Sequence, residues 1–212
     1  MLENTGPVVK CMPSSPPRYE FRIWDDDLAT VKDRLARLGA RNRSVESAEL
    51  YLVPTKTERC NAKIRSGLLD VKRLLLETRG LQQWTPTLKA SFPVDAHMFA
   101  ACLDCLGAGS LTPARSSYSE GECIGELAAA GLIVLAAILK QREVFQLDDC
   151  IAEFTAVTGT SLGDARRHTV AIESADADRL IALASKLDIF RYSNRSYVQE
   201  LRRLMHLADL KN

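Results

Sequence analysis

The chain has 212 residues, enough for one sizeable hydrophobic core or two small ones. Hydrophobic residues make up 46% and charged residues 26%, as in an ordinary soluble globular protein. The net charge of +1 leaves no overall field to draw nucleic acid or an anionic membrane, so any anion site must come from local clustering. Neither DNA nor a membrane is expected as a partner, and the longest apolar run, Leu127 to Leu139, is short for a bilayer span.

The stretch from Met1 to Pro17 is polar, contains Pro and Ser, and lacks the apolar core of a signal peptide. Residues 1–16 are expected to form a flexible leader to a single domain over 17–212. The six cysteines are Cys11, Cys60, Cys102, Cys105, Cys123 and Cys150. Without a secretory signal they are expected to be reduced thiols in the cytoplasm. Cys102-Leu-Asp-Cys105 has metal-ligand spacing, but no second pair matches it and it falls on an apolar helix pattern, so structural thiols are expected over zinc.

The first element is a strand, Arg18 to Trp24, whose alternation puts Arg18, Glu20 and Arg22 on one face and Tyr19, Phe21 and Ile23 on the other. Three neighbouring charges cannot be buried dry. That face is therefore solvated, or lines a wet cavity, or binds something charged. Asp25-Asp26-Asp27 then starts a helix carrying Leu28, Val31, Leu35 and Leu38, with Gly39 as its stop. A strand over Ala48 to Val53 sets Glu49 and Tyr51 opposite Leu50 and Leu52. The next, Asn61 to Ser66, carries Lys63 and Arg65 on one face before a Ser66-Gly67 turn. Leu69 to Leu76 follows, with Asp70 and Lys72 sharing a face. Gln82 to Ser91 reads as a strand with Thr85, Thr87 and Lys89 on one side, at an edge or bulged because of Pro86.

Val94 to Leu106 reads as a helix with Asp95 near its start and Gly107 at its end; Gly109 to Ser119 reads as an exposed loop. Glu122 to Ala130 is a helix closed by Gly131. Leu132 to Leu147 could extend that helix, but the glycine cap and the alternation from Ile138 favour a long strand with Lys140 and Arg142 on one face. Cys150 to Val157 presents Glu153 and Thr155. After a Gly159–Gly163 loop, Arg166 to Ser174 presents Arg167, Thr169 and Glu173, with His168, Val170 and Ile172 on the opposite face. An amphipathic helix spans Asp176 to Leu187, and Ser196 caps a last helix with Val198, Leu201, Leu204 and Met205 inward. His168 reads as structural, and Trp24 and Trp84 as core or rim aromatics.

Eight strand candidates joined mostly by turns indicate an antiparallel α+β fold. Each strand has one apolar face and one carrying Lys, Arg or a carboxylate. Closed into a barrel, these rows would meet in one lumen, with Arg18, Arg22, Lys63, Arg65, Lys72, Lys89, Lys140, Arg142 and Arg167 facing Glu20, Glu49, Asp70, Glu153 and Glu173. Converging Lys and Arg neutralise a polyanion, and carboxylates beside phosphate suit Mg²⁺ or Mn²⁺. Those are the requirements of phosphoryl transfer.

At this point the sequence resembles a family. Arg18-x-Glu20-x-Arg22 resembles the E-x-E-x-K signature of the CYTH superfamily, the triphosphate tunnel metalloenzymes, and is closer to the R-x-E-x-K form of the VTC-type polyphosphate polymerase branch. Lys63-x-Arg65, Leu69-Asp70-Val71-Lys72, Lys140-Gln-Arg142-Glu143, Val170-Ala171-Ile172-Glu173 and Ser196-Tyr197-Val198 resemble its later motifs, in order, over about Arg18 to His206. The resemblance implies an eight-stranded antiparallel tunnel with helices outside, acting on a triphosphate-containing small molecule or polyphosphate. Arg18, Arg22, Lys63, Arg65, Lys72, Lys89, Lys140 and Arg142 would hold phosphate. Glu20 and Glu173 would be catalytic and, with Glu153, would hold Mg²⁺ or Mn²⁺. The expected activity is a divalent-metal-dependent phosphohydrolase of the triphosphatase type. Arg18 and Ala171 replace two carboxylates of the pattern, and Thr155 or Glu153 stands where an Asp is common. These departures leave open a module that binds polyphosphate or nucleotide without turnover. The oligomeric state is also open, a homodimer included.

Overall fold

A computed structural model describes residues 16–38, 41–159 and 166–207. All but the last residue of the proposed leader, Cys11, the Gly39 stop and most of the Gly159–Gly163 loop lie outside the described residues.

Eight strands close into a barrel, and the register explains why the inner rows meet. In chain order they are β1 (Arg18–Asp25), β2 (Arg41–Pro54), β3 (Cys60–Arg65), β4 (Leu68–Thr78), β5 (Leu81–Ser91), β8 (Ile133–Leu147), β9 (Cys150–Thr158) and β10 (Arg167–Ser174). A two-residue ladder of β6 (Val94–Asp95) and β7 (Ser117–Tyr118) stands apart. The helices are α1 (Ala29–Arg37), α2 (Ala96–Cys105), α3 (Glu120–Ala129), α4 (Ala177–Leu187) and α5 (Tyr197–Leu204). Around the barrel the order is β1-β10-β9-β8-β2-β3-β4-β5, returning to β1, and every pairing is antiparallel. Antiparallel closure leaves no edge strand exposed.

The outward apolar rows are covered by helices in two separate cores. One joins Leu52, Ile64, Leu69, Val71, Leu88 and Ala90 to Phe99 and Leu103 of α2 and Leu127 of α3. The other joins Phe21, Ile23, Ala152, Phe154, Val170 and Ile172 to Val31 and Leu35 of α1 and Leu180 and Leu187 of α4. Cys102 and Cys105 are buried in α2, inside the first of these cores. The inward rows are thereby left to the charged residues, as period-two alternation requires.

Three elements differ from the sequence reading. β2 begins at Arg41 rather than Ala48 and pairs with β8 from Arg41↔Gln146 to Pro54↔Ile133. Its first half, Arg-Asn-Arg-Ser-Val-Glu-Ser, has almost no apolar residue to signal a strand, and its partner strand supplies the order. Ser117 and Tyr118 are not exposed loop. They pair with Val94 and Asp95, and Tyr118 is buried with its ring 4.0 Å from that of Phe99. Finally, Pro86 sits at a bulge, not an edge. The register steps from Val71↔Leu88 to Lys72↔Pro86, which skips Thr87 and places Thr85 opposite Arg73 rather than on the Lys89 face.

Like β2–β3, which is paired only over Leu50↔Ile64 to Leu52↔Ala62, the β1–β5 seam is short, paired only over Arg18↔Trp84 to Glu20↔Gln82. Asn194, just before α5, fills it. Its Oδ1 accepts from the Arg22 N–H at 2.8 Å, and its Nδ2 donates to the Gly80 carbonyl at 2.9 Å and the Glu20 carbonyl at 3.3 Å. The Arg195 N–H donates to the Arg22 carbonyl at 2.9 Å. Among the described residues, no helix is long and apolar enough to cross a membrane. Asn194→Ala would leave the Arg22 amide without its partner, and we expect urea denaturation to show a loss of about 1–3 kcal/mol.

Candidate functional site

The barrel brings together most of the residues singled out from the sequence. Glu20, Arg22, Glu49, Lys63, Arg65, Asp70, Lys72, Lys140, Arg142, Glu153 and Glu173 stand on the inner faces of seven strands, opposite the helix-covered rows. Arg18 lies at the start of β1, beside a cavity of about 210 Å³ lined also by Pro16, Glu20, Lys72, Trp84, Pro86 and Glu173. Lys89 is opposite Asp70 on the inner side but exposed, so it is peripheral. Arg167 is turned to the rim, 3.5 Å from Asp26. His168 faces outward, stacked on Phe154 and bonded through Nδ1 to the Asp26 carbonyl.

One wall, formed by β8, β2 and β3, is organised on Glu49, whose side chain is wholly buried. Lys140 Nζ lies 2.9 Å and Lys63 Nζ 3.1 Å from its Oε2. Arg65 and Arg142 each lie 3.5 Å from its Oε1. Ser47 Oγ donates to the same Oε1 at 3.2 Å and accepts from Arg142 at 2.9 Å. Burial pushes the Glu49 carboxyl up, but Lys140 and Lys63 outweigh it and hold the group well below the usual carboxylate range. Lys140 is itself almost fully buried. Burial, with Lys63 close by, holds its ammonium well below its ordinary range despite Glu49, and burial lowers Lys63 as well.

The opposite wall, β4, β1, β10 and β9, carries the carboxylates. Glu20 and Glu173 are partners across β1 and β10, and Glu153 is the partner of Ala171 on the next strand. Arg22 Nε donates to Glu20 at 2.7 Å, and Arg22 is held further by Thr169 Oγ1 at 3.4 Å. Against burial, Arg22 and Lys72 lower the Glu20 carboxyl. Glu173 moves the other way: burial raises it, Lys72 opposes, and Glu20 and Glu153 add like charge. Lys72 is raised, its burial offset by Glu173, Glu20 and Asp70.

The lumen ends in an apolar cluster. Trp24, Tyr51, Val53, Ala136, Ile138 and Val157, from four strands, meet Tyr197 and Leu201 of α5. The Tyr197 ring is stacked 5.4 Å from that of Tyr51 and edge-on 4.8 Å from that of Trp24. Lys140 Nζ sits 3.5 Å from the Tyr197 centroid and Arg22 4.6 Å from it, so the deepest cations rest on an aromatic floor. Helix α5 is held there by a capping box of Ser196 and Gln199, by Gln199 with Gln82 at 3.0 Å, and by Arg202 bonded to the Pro54 carbonyl. Thr155 Oγ1, Tyr197 Oη and Arg142 Nε, all on this lumen, are buried with no hydrogen-bond partner among the described residues. Buried polar atoms in that state call for an acceptor or donor from elsewhere.

Sequence reasoning placed Glu49 among inner charges without a role, and missed Tyr51 and Tyr197. Glu49 could have been found only by knowing that β3 and β8 flank β2; Tyr51 was set on the Glu49 face and Tyr197 in the Ser196-Tyr197-Val198 motif, but neither was given a role. For the metal implied by the resemblance, no group of three or more His, Cys, Asp or Glu among the described residues is placed to hold an ion. Glu20 and Glu173 are two facing carboxylates, with the Glu173 carboxyl raised by burial and by the like charges of Glu20 and Glu153 against the pull of Lys72. A Mg²⁺ ion commonly takes one or two protein carboxylates and fills its shell with phosphate and water. This pair therefore fits an ion that arrives with a phosphate chain, not one caged by protein alone.

Two outcomes follow from the Glu49 wall. An anion beside Lys140 and Lys63 raises both lowered groups, so inorganic triphosphate binding should take up protons over the pH range in which these lysines titrate. Calorimetry in buffers of different ionisation enthalpy should show that uptake, and affinity should fall as pH rises through that range. Glu49→Gln should cost about 3–5 kcal/mol at pH 7 by leaving buried cations unpaired. Because the folded-state carboxyl is depressed, its stabilisation is present above the ordinary carboxylate pKa and fades as pH falls. The difference between the two proteins in denaturation should therefore be full above about pH 5 and shrink progressively as pH falls below about 4, toward the depressed carboxyl pKa of the folded state.

No protein-family model and no curated protein matches the chain. Among solved structures it is similar to the PH1012 protein of Pyrococcus horikoshii OT3, with 14% identity, a TM-score of 0.52, and coverage of 87% of this chain and 98% of that one. A conserved hypothetical protein of Pyrococcus furiosus gives 15% identity, a TM-score of 0.52, and coverage of 87% and 99%. A more distant match, to the Pct1 RNA triphosphatase of S. pombe, has 10% identity and a TM-score of 0.35 over 93% of this chain and 87% of that one, and at that score it carries no argument. The first two likenesses establish a shared fold.

Proposed function

We propose that the lumen binds a triphosphate or polyphosphate chain and that the protein is a divalent-metal-dependent phosphohydrolase of the triphosphatase type. The observation that supports this most is the convergence of Arg22, Lys63, Arg65, Lys72, Lys140 and Arg142 from four strands onto one enclosed space. The ordered motifs that resemble the triphosphate tunnel metalloenzymes agree with it. In this reading the Lys and Arg side chains neutralise the chain and fix its place, since Arg forks match phosphoryl oxygens. Arg22 holds the Glu20 carboxylate in one orientation through the 2.7 Å bond. Glu20 and Glu173, with Glu153 one strand further on, would hold a Mg²⁺ or Mn²⁺ ion that comes with the phosphate chain. The ion supplies Lewis-acid polarisation and lowers the pKa of water. Glu173, whose carboxyl is held above its ordinary range, is suited to accept a proton from the attacking water.

A second reading is a module that binds the chain without turnover. It is favoured by Ala171, a buried methyl where the resembling pattern has a carboxylate, and by the absence of any three-ligand group among the described residues. Both readings suit a soluble protein of the cytoplasm.

Phosphate release from inorganic triphosphate, ATP and thiamine triphosphate, with and without Mg²⁺ or Mn²⁺, separates the two. We expect metal-dependent release that Glu20→Gln and Glu173→Gln abolish while both variants still bind triphosphate. Arg142→Ala should weaken binding even without metal, by roughly 1.5–3 kcal/mol or one to two decades. Tight metal-free binding with no release by the parent protein would establish the binding module instead. No binding at all would end both readings.

A further inference from the structure

We infer that Cys60 and Cys105 form a redox-active dithiol that a hydroperoxide oxidises to a disulfide, joining strand β3 to helix α2. The pair lies outside the barrel wall, in the core that α2 and α3 cover, and the inference does not depend on what the lumen binds.

Alternation turns Cys60, Ala62 and Ile64 of β3 outward while Lys63 and Arg65 point to the lumen. Cys60 is the register partner of Arg73 on β4. Helix α2 ends over the same place. Its Asp104 is ion-paired with Arg73, and the next residue, Cys105, donates from Sγ to the Lys72 carbonyl at 3.6 Å. Both thiols therefore stand against Lys72-Arg73, one from the neighbouring strand and one from the helix, and they are hydrogen-bonded to each other. Cys102, one turn back on α2, is near Cys60 too. These sulfurs are nonetheless not placed to hold a metal ion, since no group of three such ligands among the described residues is. Their proximity suits reaction with one another. Cys60 is fully buried and Cys105 is 5% exposed. The Arg73 and Asp104 side chains beside Cys105 are 37% and 62% exposed, so its sulfur lies one ion pair beneath the surface.

The two thiols are unlike. The hydrogen bond from Cys60, helped by the Arg73 guanidinium, draws the Cys105 thiol below its ordinary range against burial. The same bond, with burial, pushes Cys60 up. Burial raises Cys102 and Cys150 as well, and pushes Cys123 up to about 12. Of the five described cysteines, Cys105 is the one made nucleophilic. Its thiolate attacks one oxygen of the peroxide. The S–O bond forms, the O–O bond breaks, and two electrons pass from sulfur to the peroxide. The released hydroxide leaves as water with the proton that Cys105 gave up. Cys60 then attacks the sulfenic sulfur. The S–S bond forms, the S–O bond breaks, and the Cys60 proton leaves with the hydroxyl as a second water. A small dithiol restores both thiols by exchange through a mixed disulfide.

The test uses the full chain, reduced with dithiothreitol, desalted, treated with a small excess of hydrogen peroxide, then alkylated and digested without reductant for mass spectrometry. The expected product is one cross-linked peptide pair, Cys60 with Cys105, lighter than the two thiol peptides by two hydrogens and returned to them by dithiothreitol. Cys105→Ser should slow peroxide consumption by roughly tenfold or more and leave Cys60 a thiol. Cys60→Ser should stop the reaction at a sulfenic acid on Cys105, captured by dimedone. Arg73→Leu should keep the same linkage but move the pH dependence of the rate upward, because the thiolate loses its cation. A Cys102–Cys105 linkage, oxidation confined to Cys11 or to any other cysteine, or peroxide consumption unchanged in Cys105→Ser would overturn the inference. Should a serine variant not fold, the peptide map of the parent protein decides: the Cys60–Cys105 pair upholds the inference, and any other product, or none, overturns it.

Discussion

The carboxylate of Glu49 is the interaction on which the interior depends. A barrel of alternating strands must turn every second side chain inward, and here the two strands that flank β2 on either side, β3 and β8, both turn cations inward. Lys63, Arg65, Lys140 and Arg142 could not stand so close in a partly dehydrated space without a counter-charge, since each buried ion costs several kcal/mol. Glu49 meets all four at 2.9 to 3.5 Å. One carboxylate against four cations still leaves a surplus of positive charge. That surplus is met locally by the aromatic rings of Tyr51 and Tyr197, and Asp70 of the next strand adds a negative charge beside Lys63.

The facing wall shows the opposite balance. Glu20, Glu173 and Glu153 stand near Arg22 and Lys72, and the register makes two of the carboxylates direct neighbours. The separation of signs is a consequence of strand order, not of local sequence, because the acidic and basic residues alternate along the chain. It matters chemically. A phosphate chain laid between the walls would meet donors on one side. On the other it would meet groups able to share a cation or take a proton. The opposite displacements of Glu20 and Glu173 follow from the same arrangement: the guanidinium of Arg22 contacts one carboxylate and leaves the other to its like-charged neighbours.

Much of this was legible in the residues. The half-charged strands could be read because period two is insensitive to what the strand pairs with, so Lys63, Arg65, Lys72, Lys140 and Arg142 were placed inward from their own alternation. The long strand β8 was separable from the helix before it because Gly131 adopts φ +66°, a conformation that favours glycine and ends the helix. What failed to show depended on partners distant in sequence. The polar half of β2 is ordered by β8, Tyr118 by Phe99, and the bulge at Pro86 could be foreseen as an irregularity but not assigned to a register. Lys89 was placed on the correct side yet lies too far out to join the cluster, since alternation gives the face and not the depth.

Depth also decides the role of the last helix. Read from sequence, Leu201 is a core position of an amphipathic helix that packing alone would explain, and Tyr197 is only part of a motif at its start. In the structure the core they join is not one of the two that cover the barrel's outside; it is the barrel's own interior, entered through the seam where β1 and β5 share only three register pairs. A fully paired β1–β5 ladder would leave Asn194 and Arg195 no backbone groups on β1 to bind. The short ladder and the plug are therefore one feature. The sheet gives up hydrogen bonds at the seam, the segment before α5 supplies replacements, and the same segment delivers an aromatic ring to the point where the buried cations need a floor.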